Sequence, residues 1–533
     1  MTSAEPTLRS RLIFEPQELR FGTSGRRGEV VHLTQLEIYI NVTAEIRFLQ
    51  SLPPAEGGIA AGDEFYVAYD LRPSSASICQ AVIRAAADCG MRPVNLGAIP
   101  TPALAHFAFS RQRASIMVTG SHIPFDRNGY KLNTAHGELL KQHEAPIAGF
   151  VTQVRRHLYD QPFTDSLFDQ NGMFKAGQCD LPSERDDARA AYFRRYVDFF
   201  RGASLRGKRI AVYEHSAVAR DLLVELLNTF GAEVIPMGRS ETFVPIDTEN
   251  MEASQLAAIQ ALTDDAARAN GPVWAVISAD GDSDRPLILG VDSEGGVRFF
   301  GGDLVGMIVA EFLGADAVVV PISCNDAIDR GRLALVLEPK TRIGSPYVIE
   351  GLEAARKKGR RAVCGWEANG GFLTGSDLTR NGNVLTRLPT RDAVLPILSV
   401  LFAAQEAGCS LPQLFSRLPP RFSRAALLKN FPQSRSRRII EHFSTAVACS
   451  ELQQFFTPAL GFSEIAGLNY VDGVRITFSN GDVAHIRPSG NADELRIYAV
   501  ADTQERADAI AGMGIAEPDG ILRSLERHVQ GAT

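Results

Sequence analysis

Short apolar runs alternate with amphipathic stretches along the first three quarters of this chain. The runs are rich in β-branched residues and are typical of buried strands, whereas the stretches between them carry apolar residues at helical spacing. The predicted strands cover residues 65–68, 115–118, 209–213, 273–277, 317–320 and 361–364. The predicted helices include residues 77–89, 218–230, 304–313 and 347–358. This alternation predicts βαβ units in mixed, largely parallel sheets, and hence three similarly built α/β domains.

The pattern changes at three places, and these changes set the predicted domain boundaries. Turn-forming and charged residues interrupt it at 160–190, a glycine-rich strip at 291–296 predicts a hairpin turn, and after about residue 410 the chain becomes proline-rich and mixed. We therefore expect domains at residues 1–185, 186–296, 297–410 and 411–533. The last is expected to be a smaller α+β domain.

The composition of the chain limits the number of domains and the kinds of partner that we expect. With 533 residues, 45% of them hydrophobic, the chain is long enough for several cores. The net charge of -7 is mild and argues against a nucleic acid as the partner. The seven cysteines are scattered and indicate neither a zinc nor a disulfide framework. Because no signal core or membrane-length apolar run is found, we expect a cytoplasmic protein with no membrane partner.

Three aspartates at alternate positions follow one predicted strand. They are Asp280, Asp282 and Asp284, and Arg285 comes next. Carboxylates this close repel one another unless a cation lies among them, so the pattern favours a Mg²⁺-like site with Arg285 placed to hold a phosphoryl oxygen. An acidic surface turn is the alternative, since Asp, Gly and Ser also form turns. An EF-hand loop is excluded because its Gly and Glu positions hold Arg285 and Val291.

A second predicted strand leads into a loop that contains Ser121, and Lys131 follows ten residues later. A serine in this position could be a nucleophile or a phosphoryl carrier if a nearby base and a metal activate it. An ordinary turn serine is an equally open interpretation. The loop lacks the glycine pattern of the nucleophile elbow of hydrolases.

Two further glycine loops carry polar groups suited to a sugar phosphate. Glu367 and Asn369 offer both donors and acceptors to sugar hydroxyls, although an Asn-Gly turn would also explain them. The last loop combines arginines, a hydroxyl and backbone amides as a phosphate site does, with an ordinary surface loop as the alternative. Its predicted substrate-binding residues are Arg487, Ser489, Gly490, Asn491 and Arg496.

The order and spacing of these loops resemble the α-D-phosphohexomutase family, which includes phosphoglucomutases and phosphomannomutases. The resemblance runs from Phe21 to Arg496. It includes the motifs Phe-Gly-Thr-Ser-Gly-Arg-Arg-Gly at 21–28, Tyr-Asp-Leu-Arg-Pro-Ser-Ser at 69–75 and Pro-Thr-Pro at 100–102. It implies an isomerase with four domains around a central cleft, acting as a monomer or homodimer on a small sugar phosphate.

The resemblance also implies a chemistry. Ser121 would carry a phosphoryl group and, with the three aspartates, bind Mg²⁺. The enzyme would move phosphate between C1 and C6 of glucose or mannose phosphates through a hexose 1,6-bisphosphate, which also serves as activator. Arg27 and Lys131 would flank the phosphoserine, with Lys131 as the candidate acid or base and His122 in a positioning role.

The chain departs from the family pattern in several loops. Residues 367–371 form the segment that we call the sugar loop. Many relatives have Glu-x-Ser-Gly-His there, whereas Gly371 stands at the histidine position in this chain. Ser345 replaces another histidine that is common in bacterial members. In residues 487–496, which we call the phosphate loop, Asn491-Ala492 replaces the usual Thr-Glu. Proton transfer would therefore fall more heavily on Lys131 or on a water molecule.

The same departures keep alternatives open. The Glu-Ala-Asn-Gly sequence at 367–370 is similar to the sugar loop of eukaryotic phosphoacetylglucosamine mutases, so a phosphoacetylglucosamine or phosphoglucosamine mutase is one alternative. A Mg²⁺-dependent sugar phosphatase and a non-catalytic sugar-phosphate-binding protein are alternatives of another class.

Overall fold

The computed structural model describes residues 5–22, 25–177, 180–249, 251–445, 448–489 and 493–531. Within these ranges the strands form four sheets of four or five strands and one two-stranded ribbon. Three sheets are mixed and the fourth is antiparallel, so the predicted class of three α/β units followed by a smaller α+β unit is confirmed. The boundaries between the units stay a prediction. None of the helices in the described ranges has the length and apolar character needed to cross a membrane.

Within the described residues the first unit has five strands and five α-helices. The strands are β1 (Arg26–Glu29), β2 (Glu64–Tyr69), β3 (Arg92–Ala98), β4 (Ser115–Val118) and β5 (Arg127–Asn133). The helices are α1 (Leu8–Arg11), α2 (Gln35–Ser51), α3 (Ser75–Asp88), α4 (Thr101–Phe109) and α5 (Glu144–Asp160). The strand order is β1-β5-β4-β2-β3, with β2 parallel to both β3 and β4. Strand β4 is buried at every position and ends directly before the Ser121 loop.

The second unit repeats the plan. Its strands are β6 (Arg209–His215), β7 (Glu233–Arg239), β8 (Ala275–Ala279), β9 (Pro286–Val291) and β10 (Val297–Phe299). Its helices are α6 (Asp187–Phe199), α7 (Arg220–Thr229) and α8 (Ala253–Asn270). The order is β10-β9-β8-β6-β7, and the antiparallel pair β9–β10 confirms the hairpin predicted at 291–296. Strand β8 extends two residues further than predicted, so it leads directly into Asp280.

The third unit has a smaller sheet with the order β11-β12-β13-β16 and the ribbon β14–β15. Its strands are β11 (Ala317–Val319), β12 (Val363–Trp366), β13 (Phe372–Thr374), β14 (Leu378–Arg380), β15 (Asn383–Leu385) and β16 (Leu388–Asp392). Its helices are α9 (Gly302–Leu313), α10 (Ser345–Lys357), α11 (Val394–Glu406) and α12 (Leu411–Phe415). Strand β12 leads directly into Glu367, as β8 leads into Asp280.

The fourth unit is an antiparallel sheet with the order β17-β21-β20-β19-β18. Its strands are β17 (Phe422–Lys429), β18 (Ile465–Asn469), β19 (Val474–Phe478), β20 (Val483–Pro488) and β21 (Glu494–Ala501). Its helices are α13 (Gln433–Phe443), α14 (Ala448–Leu452), α15 (Gln504–Ile515) and α16 (Ile521–Gly531). The predicted phosphate loop lies between the paired strands β20 and β21.

The largest hydrophobic cluster connects the first three units, whereas the fourth has a cluster of its own. A polar contact reinforces this connection, because the hydroxyls of Tyr192 and Tyr196 on α6 donate to the buried carboxylate of Asp392 at the end of β16. Asp392 also accepts the N–H of Val394 (2.8 Å) at the start of α11. The first three units are therefore packed as one body, on which the loops of Ser121, Asp280 and Glu367 are held.

His215, the last residue of β6, supports the end of β8. Its buried Nε2 lies 2.9 Å from the carbonyl oxygen of Ala279, so the ring donates a hydrogen bond to the residue directly before Asp280. Burial lowers the pKa of His215 to about 4, and the neutral imidazole is therefore the form that the native state accommodates.

Stability should depend on pH through this histidine. Its pKa is about 6.5 in the unfolded chain and about 4 in the native state, so between these values only the unfolded chain gains the proton. Stability is then lost as the pH falls through this window. Relative to His215→Gln, which keeps an N–H donor, the free energy of unfolding of the wild type should decrease by about 3 kcal/mol from pH 7 to pH 4. Urea unfolding at each pH measures this difference, and a difference independent of pH would contradict the assignment.

Candidate active site

Arg72 holds the Ser121 loop in one conformation. Its buried guanidinium donates to the carbonyl oxygens of Ser121 (2.9 Å), Ile123 (2.5 Å), Pro124 (2.7 Å) and Arg127 (2.8 Å). The backbone of Ser121 has a φ of 55°, in the left-handed region that non-glycine residues rarely adopt. Hydrogen bonds from a charged donor offset the cost of this conformation, so the serine is held at a strained but fixed position.

The end of strand β2 gives the same loop a second support. The N–H of Ser121 donates to Thr119 Oγ1 (2.7 Å), and the hydroxyl of Thr119 donates to Asp70 Oδ2 (2.7 Å). Asp70 lies 3.3 Å from Arg72 Nε. The motif at 69–75 therefore contributes Asp70 and Arg72, which hold the Ser121 loop in place.

The hydroxyl of Ser121 and the three aspartates meet in one buried site. Ser121 Oγ donates to Asp280 Oδ2 at 2.6 Å. One carboxylate oxygen from each of Asp280, Asp282 and Asp284 lies within 4.8 Å of the others, and all three side chains are buried. The loop closes on itself, since Asp280 Oδ1 accepts the N–H groups of Asp284 and Arg285, each at 3.1 Å.

The three carboxylates differ in their affinity for protons. Burial, followed by the charges of Asp282 and Asp284, raises the pKa of Asp280 well above its usual range. Burial acts on Asp282 in the same direction, but the charge of Lys131, the hydrogen bonds from Lys131 and Thr101 and the charge of Arg27 together outweigh it and lower the pKa of Asp282. The pKa of Asp284 is also lowered against the effect of burial, chiefly by Arg391. Neighbouring cations therefore keep two of the three groups ionised.

Lys131 and Thr101 connect residues 280–285, which we call the aspartate loop, to the first unit. Lys131 Nζ donates to Asp282 Oδ2 and to Asp284 Oδ2, both at 2.7 Å. The hydroxyl of Thr101, at the start of α4, donates to Asp282 Oδ2 at 2.5 Å. Lys131, a candidate acid or base by the resemblance to the family, thus lies between two carboxylates and neutralises part of their charge.

The donor set fits a hard divalent cation such as Mg²⁺. Among the described residues, Oδ1 of Asp282 and Oδ1 of Asp284 are buried without a hydrogen-bond partner. Such orphaned carboxylate oxygens are costly unless a cation or a donor meets them. With Asp280 and the oxygen of Ser121, they form the all-oxygen environment that Mg²⁺ prefers.

Arg27, His122 and Arg285 lie around the serine. Arg27 is half-buried and donates to the carbonyl oxygen of Gly120; loss of hydration lowers its pKa to about 10, which leaves it charged at neutral pH. His122 Nδ1 accepts from Arg285 Nη1 at 2.8 Å. Burial, followed by the charges of Arg285 and Arg27, holds the pKa of His122 well below its usual range. A neutral His122 therefore orients Arg285, whose Nε lies 3.6 Å from Asp284 Oδ1.

The sugar loop places Glu367 and Asn369 near this site, but it uses their side chains partly for its own structure. Asn369 Oδ1 accepts the N–H of Gly371 at 3.0 Å, as expected of an Asn-Gly turn. The carbonyl oxygen of Asn369 accepts the hydroxyl of Thr248 from the second unit (2.7 Å). The side chain of Asn369 thus serves the predicted turn, and a role in binding the sugar stays a prediction.

Arg391, at the end of β16, is a site residue that sequence reasoning missed. It donates to Asp284 Oδ2 through Nε (3.0 Å) and to Glu367 Oε1 through Nη1 (3.1 Å). Its side chain fills the space in front of Gly371, where an added Cβ would lie 2.5 Å from Arg391 Cδ. The charged pair Arg391-Asp392, directly before the apolar run that begins at Ala393, was the sequence signal that could have pointed to it, because buried charges need partners.

The phosphate loop presents two arginines side by side. Arg487 and Arg496 are direct partners across β20 and β21, a pairing of like charges that is unfavourable unless anions compensate it. Arg487 Nε lies 3.0 Å from Asp472 Oδ1, and Arg496 Nη2 lies 2.8 Å from Glu494 Oε2. Ser489 is buried at the end of this pair, whereas Gly490 and Asn491 lie outside the described residues.

Glu249, in the segment between β7 and α8, is a second residue that sequence reasoning missed. Burial, followed by the charge of Asp247, raises its pKa to about 7, while Arg496 and Arg285 act in the opposite direction. The pKa of Glu249 therefore depends on a charge in the phosphate loop, Arg496, and on one in the aspartate loop, Arg285. No motif marks it in the sequence.

Comparisons with known proteins match these features. Models of the phosphoglucomutase/phosphomannomutase family match residues 18–156 (alpha/beta/alpha domain I), 301–422 (alpha/beta/alpha domain III) and 445–515 (C-terminal domain). A phosphomannomutase of Sinorhizobium fredii (strain NBRC 101917 / NGR234) is 37% identical over 499 residues, which cover 93% of this chain and 98% of the relative.

Solved structures share the fold. A putative phosphomannomutase from Thermus thermophilus has a TM-score of 0.67 at 20% identity, over 93% of this chain and 98% of that one. The N-acetylphosphoglucosamine mutase of Aspergillus fumigatus, solved in complex with GlcNAc-6P and magnesium, has a TM-score of 0.53 at 13% identity over 99% of this chain and 100% of that one. The resemblance of the loops is thus matched by the fold and, in the bacterial relative, by the sequence of nearly the whole chain. The chain therefore belongs to the phosphoglucomutase/phosphomannomutase family of α-D-phosphohexomutases and is a phosphohexose mutase, an isomerase.

Proposed function

We propose that this enzyme moves phosphate between C1 and C6 of glucose or mannose phosphates through phosphorylated Ser121 and a hexose 1,6-bisphosphate. The observation that carries the proposal is the contact between Ser121 Oγ and Asp280 Oδ2 (2.6 Å) inside a buried group of three aspartates. A turn serine has no need of this environment. A serine that exchanges a phosphoryl group does, because its charge must be compensated at each step.

Asp280, Asp282 and Asp284 would hold Mg²⁺ together with an oxygen of the phosphoserine. The two buried carboxylate oxygens without partners support this ligand set, as does the magnesium named for the Aspergillus fumigatus enzyme of the same fold. When bound, the ion would offset negative charge on the transferring phosphoryl group.

The phosphoryl group is exchanged among three oxygen atoms, Ser121 Oγ and the two sugar oxygens. A free sugar hydroxyl forms an O–P bond while the Ser121 Oγ–P bond breaks, and its proton leaves to a water molecule, because Lys131 is an ammonium that already donates to Asp282 and Asp284. The bisphosphate then turns over in the cleft, and Ser121 takes back the other phosphoryl group by the reverse step. Arg285, held by His122, and Arg27 would supply positive charge beside the moving group.

The remaining loops would bind the part of the substrate that does not react. Glu367 and Asn369 would contact sugar hydroxyls. The paired arginines Arg487 and Arg496, with Ser489, Gly490 and Asn491, would hold the phosphate that is not transferred. Arg487 and Arg496 are paired residues of neighbouring strands, so their two guanidinium groups would offer several N–H donors to one anion, and this supports a phosphate site.

A hexosamine phosphate is the second candidate substrate, because the sugar loop at 367–370 carries the sequence Glu-Ala-Asn-Gly. Coupled assays with glucose 1-phosphate, mannose 1-phosphate and N-acetylglucosamine 1-phosphate, run in parallel, decide between them. We expect the largest kcat/KM for glucose or mannose 1-phosphate. If kcat/KM is largest for N-acetylglucosamine 1-phosphate, the hexosamine phosphate is the substrate instead.

Ser121→Ala removes the proposed phosphoryl carrier. We expect kcat to fall by at least about 10⁴-fold, since removing a nucleophile of this kind leaves only binding and electrostatic effects. Intact-mass measurement should show one phosphate on the wild type after incubation with hexose 1,6-bisphosphate and none on the variant. Ser110→Ala, at an exposed position after α4, is the control and should keep both activity and phosphate. Full activity of Ser121→Ala would disprove the phosphoserine route.

Arg391 is proposed as a positioning residue that connects the aspartate loop to the sugar loop. In Arg391→Met, Asp284 and Glu367 lose a shared cation, and we expect kcat/KM to fall about 100-fold, as for a misplaced reacting group. Arg391→Lys should recover little, since a single ammonium does not reproduce the geometry of a guanidinium that meets two carboxylates.

The readout that separates positioning from folding is the concentration of Mg²⁺ that gives half-maximal activity. We expect it to change in Arg391→Met and to stay at the wild-type value in Arg380→Met. Arg380 is the matched control, because it is also paired with a carboxylate in the third unit but contacts Glu406 and Phe312 instead of the site. An unchanged Mg²⁺ requirement together with unchanged kcat/KM would remove Arg391 from the mechanism.

A further inference from the structure

Two histidines and a glutamate from three helices converge on the surface of the fourth unit. His442 lies in the last turn of α13, Glu451 in α14 and His528 in the last turn of α16. His442 Nε2 is 2.7 Å and His528 Nε2 is 3.7 Å from the same oxygen, Glu451 Oε2. All three ligand atoms lie within 4.8 Å of one another. We call these residues the histidine cluster.

Aromatic side chains fix the rings of the histidine cluster. The ring of His528 stacks on Phe443 (centroids 6.2 Å apart, planes at 22°) and meets Phe455 edge-on (5.3 Å). His442 packs edge-on against His528 at 5.5 Å. The side chains of the cluster are between 27% and 35% exposed, so one side of it is open to solvent. The nitrogen atoms are therefore oriented by packing and can be reached from outside.

The distances suit a tetrahedral transition metal. With metal–nitrogen and metal–oxygen bonds near 2.0–2.1 Å, neighbouring ligands of a tetrahedron lie about 3.3 Å apart. The two observed separations, 2.7 and 3.7 Å, lie on either side of that value. A hydrogen bond accounts for His442, whose Nε2 is 2.7 Å from Glu451 Oε2, but not for His528, whose Nε2 is directed at the same oxygen from 3.7 Å.

We propose that the histidine cluster binds a zinc-like divalent transition metal ion, at a site that shares no residue with the aspartate site. Two imidazoles and one carboxylate suit zinc, whereas Mg²⁺ and Ca²⁺ prefer oxygen ligands alone. With three protein ligands, the fourth position is left to water. The ion clamps the C-terminal helix α16 to α13 and α14 and so stabilises the fourth unit.

Zinc binding by the full-length, metal-stripped protein tests the proposal. Because the aspartate site also accepts divalent ions, we compare four proteins by calorimetric titration with ZnCl₂: the wild type, His528→Gln, His442→Gln and Asp282→Asn. The wild type should bind one zinc ion more than either histidine variant. Asp282→Asn should keep the ion bound by the histidine cluster, and excess Mg²⁺ should not displace it.

His32→Gln is the matched control. His32 is as exposed as His528 and lies 3.6 Å from Glu29, but no cluster of three ligands includes it within the described ranges. This variant should bind zinc as the wild type does. Thermal unfolding supplies a second readout, since zinc should raise the melting temperature of the wild type and of His32→Gln, but not that of His528→Gln or His442→Gln.

Equal zinc stoichiometry in the wild type and both cluster variants would overturn the proposal, as would a thermal shift that survives in these variants. Circular dichroism without metal establishes that each variant is folded before titration. Mutase activity with Mg²⁺ should be the same in His528→Gln as in the wild type. Failure of the metal proposal therefore leaves the proposed mutase function untouched, and the reverse also holds.

Discussion

Mutual repulsion among three buried carboxylates is the constraint on which the active site depends. Asp280, Asp282 and Asp284 lie within one tight loop, and burial alone would drive protons onto all of them. The compensating charges come from different parts of the chain: Lys131 from the first unit and Arg391 from the third. The loop is therefore stable only where the sheets meet, and the same charges that make the site possible also hold the units together.

The strands make this meeting possible because they end at one edge of each sheet. Strands β4, β8 and β12 are buried and end directly before the loops of Ser121, Asp280 and Glu367, as expected for ligand sites at the carboxyl ends of strands in α/β folds. Ser121 and Ser283 both have left-handed backbones, with φ of 55° and 58°. Strain of this kind persists when its surroundings over-determine it, as the hydrogen bonds from Arg72 do here. Rigidity is thus concentrated where a phosphoryl group would be exchanged.

Much of this arrangement could be predicted from local sequence, since a strand followed by a chemically unusual loop is a local pattern. The alternating aspartates, the Ser121 loop, the α/β alternation and the hairpin at 291–296 are of this kind. What could not be predicted are contacts between positions far apart in the chain. Arg391 and Glu249 lie in segments without a motif, and only folding brings them to Asp284 and Arg496. The role of Lys131 as a partner of two carboxylates was hidden for the same reason, whereas a turn at Asn369 was one of the alternatives that the sequence offered.

Arg391 also gives a physical account of the glycine in the sugar loop. The resemblance to the family places a histidine at position 371, but in this chain an added Cβ there would meet the arginine side chain at 2.5 Å. A side chain at 371 and Arg391 in its present position therefore exclude each other. The arginine contributes a positive charge between Asp284 and Glu367, close to where the histidine would have contributed an imidazole. Because a guanidinium does not release its proton near neutral pH, this exchange keeps charge compensation and gives up a titrating group. It follows that the residue at 371 and the residue at 391 depend on each other, since a side chain at 371 needs the space that Arg391 fills. Proton transfer in this enzyme has to be carried by a group other than the residue at 371.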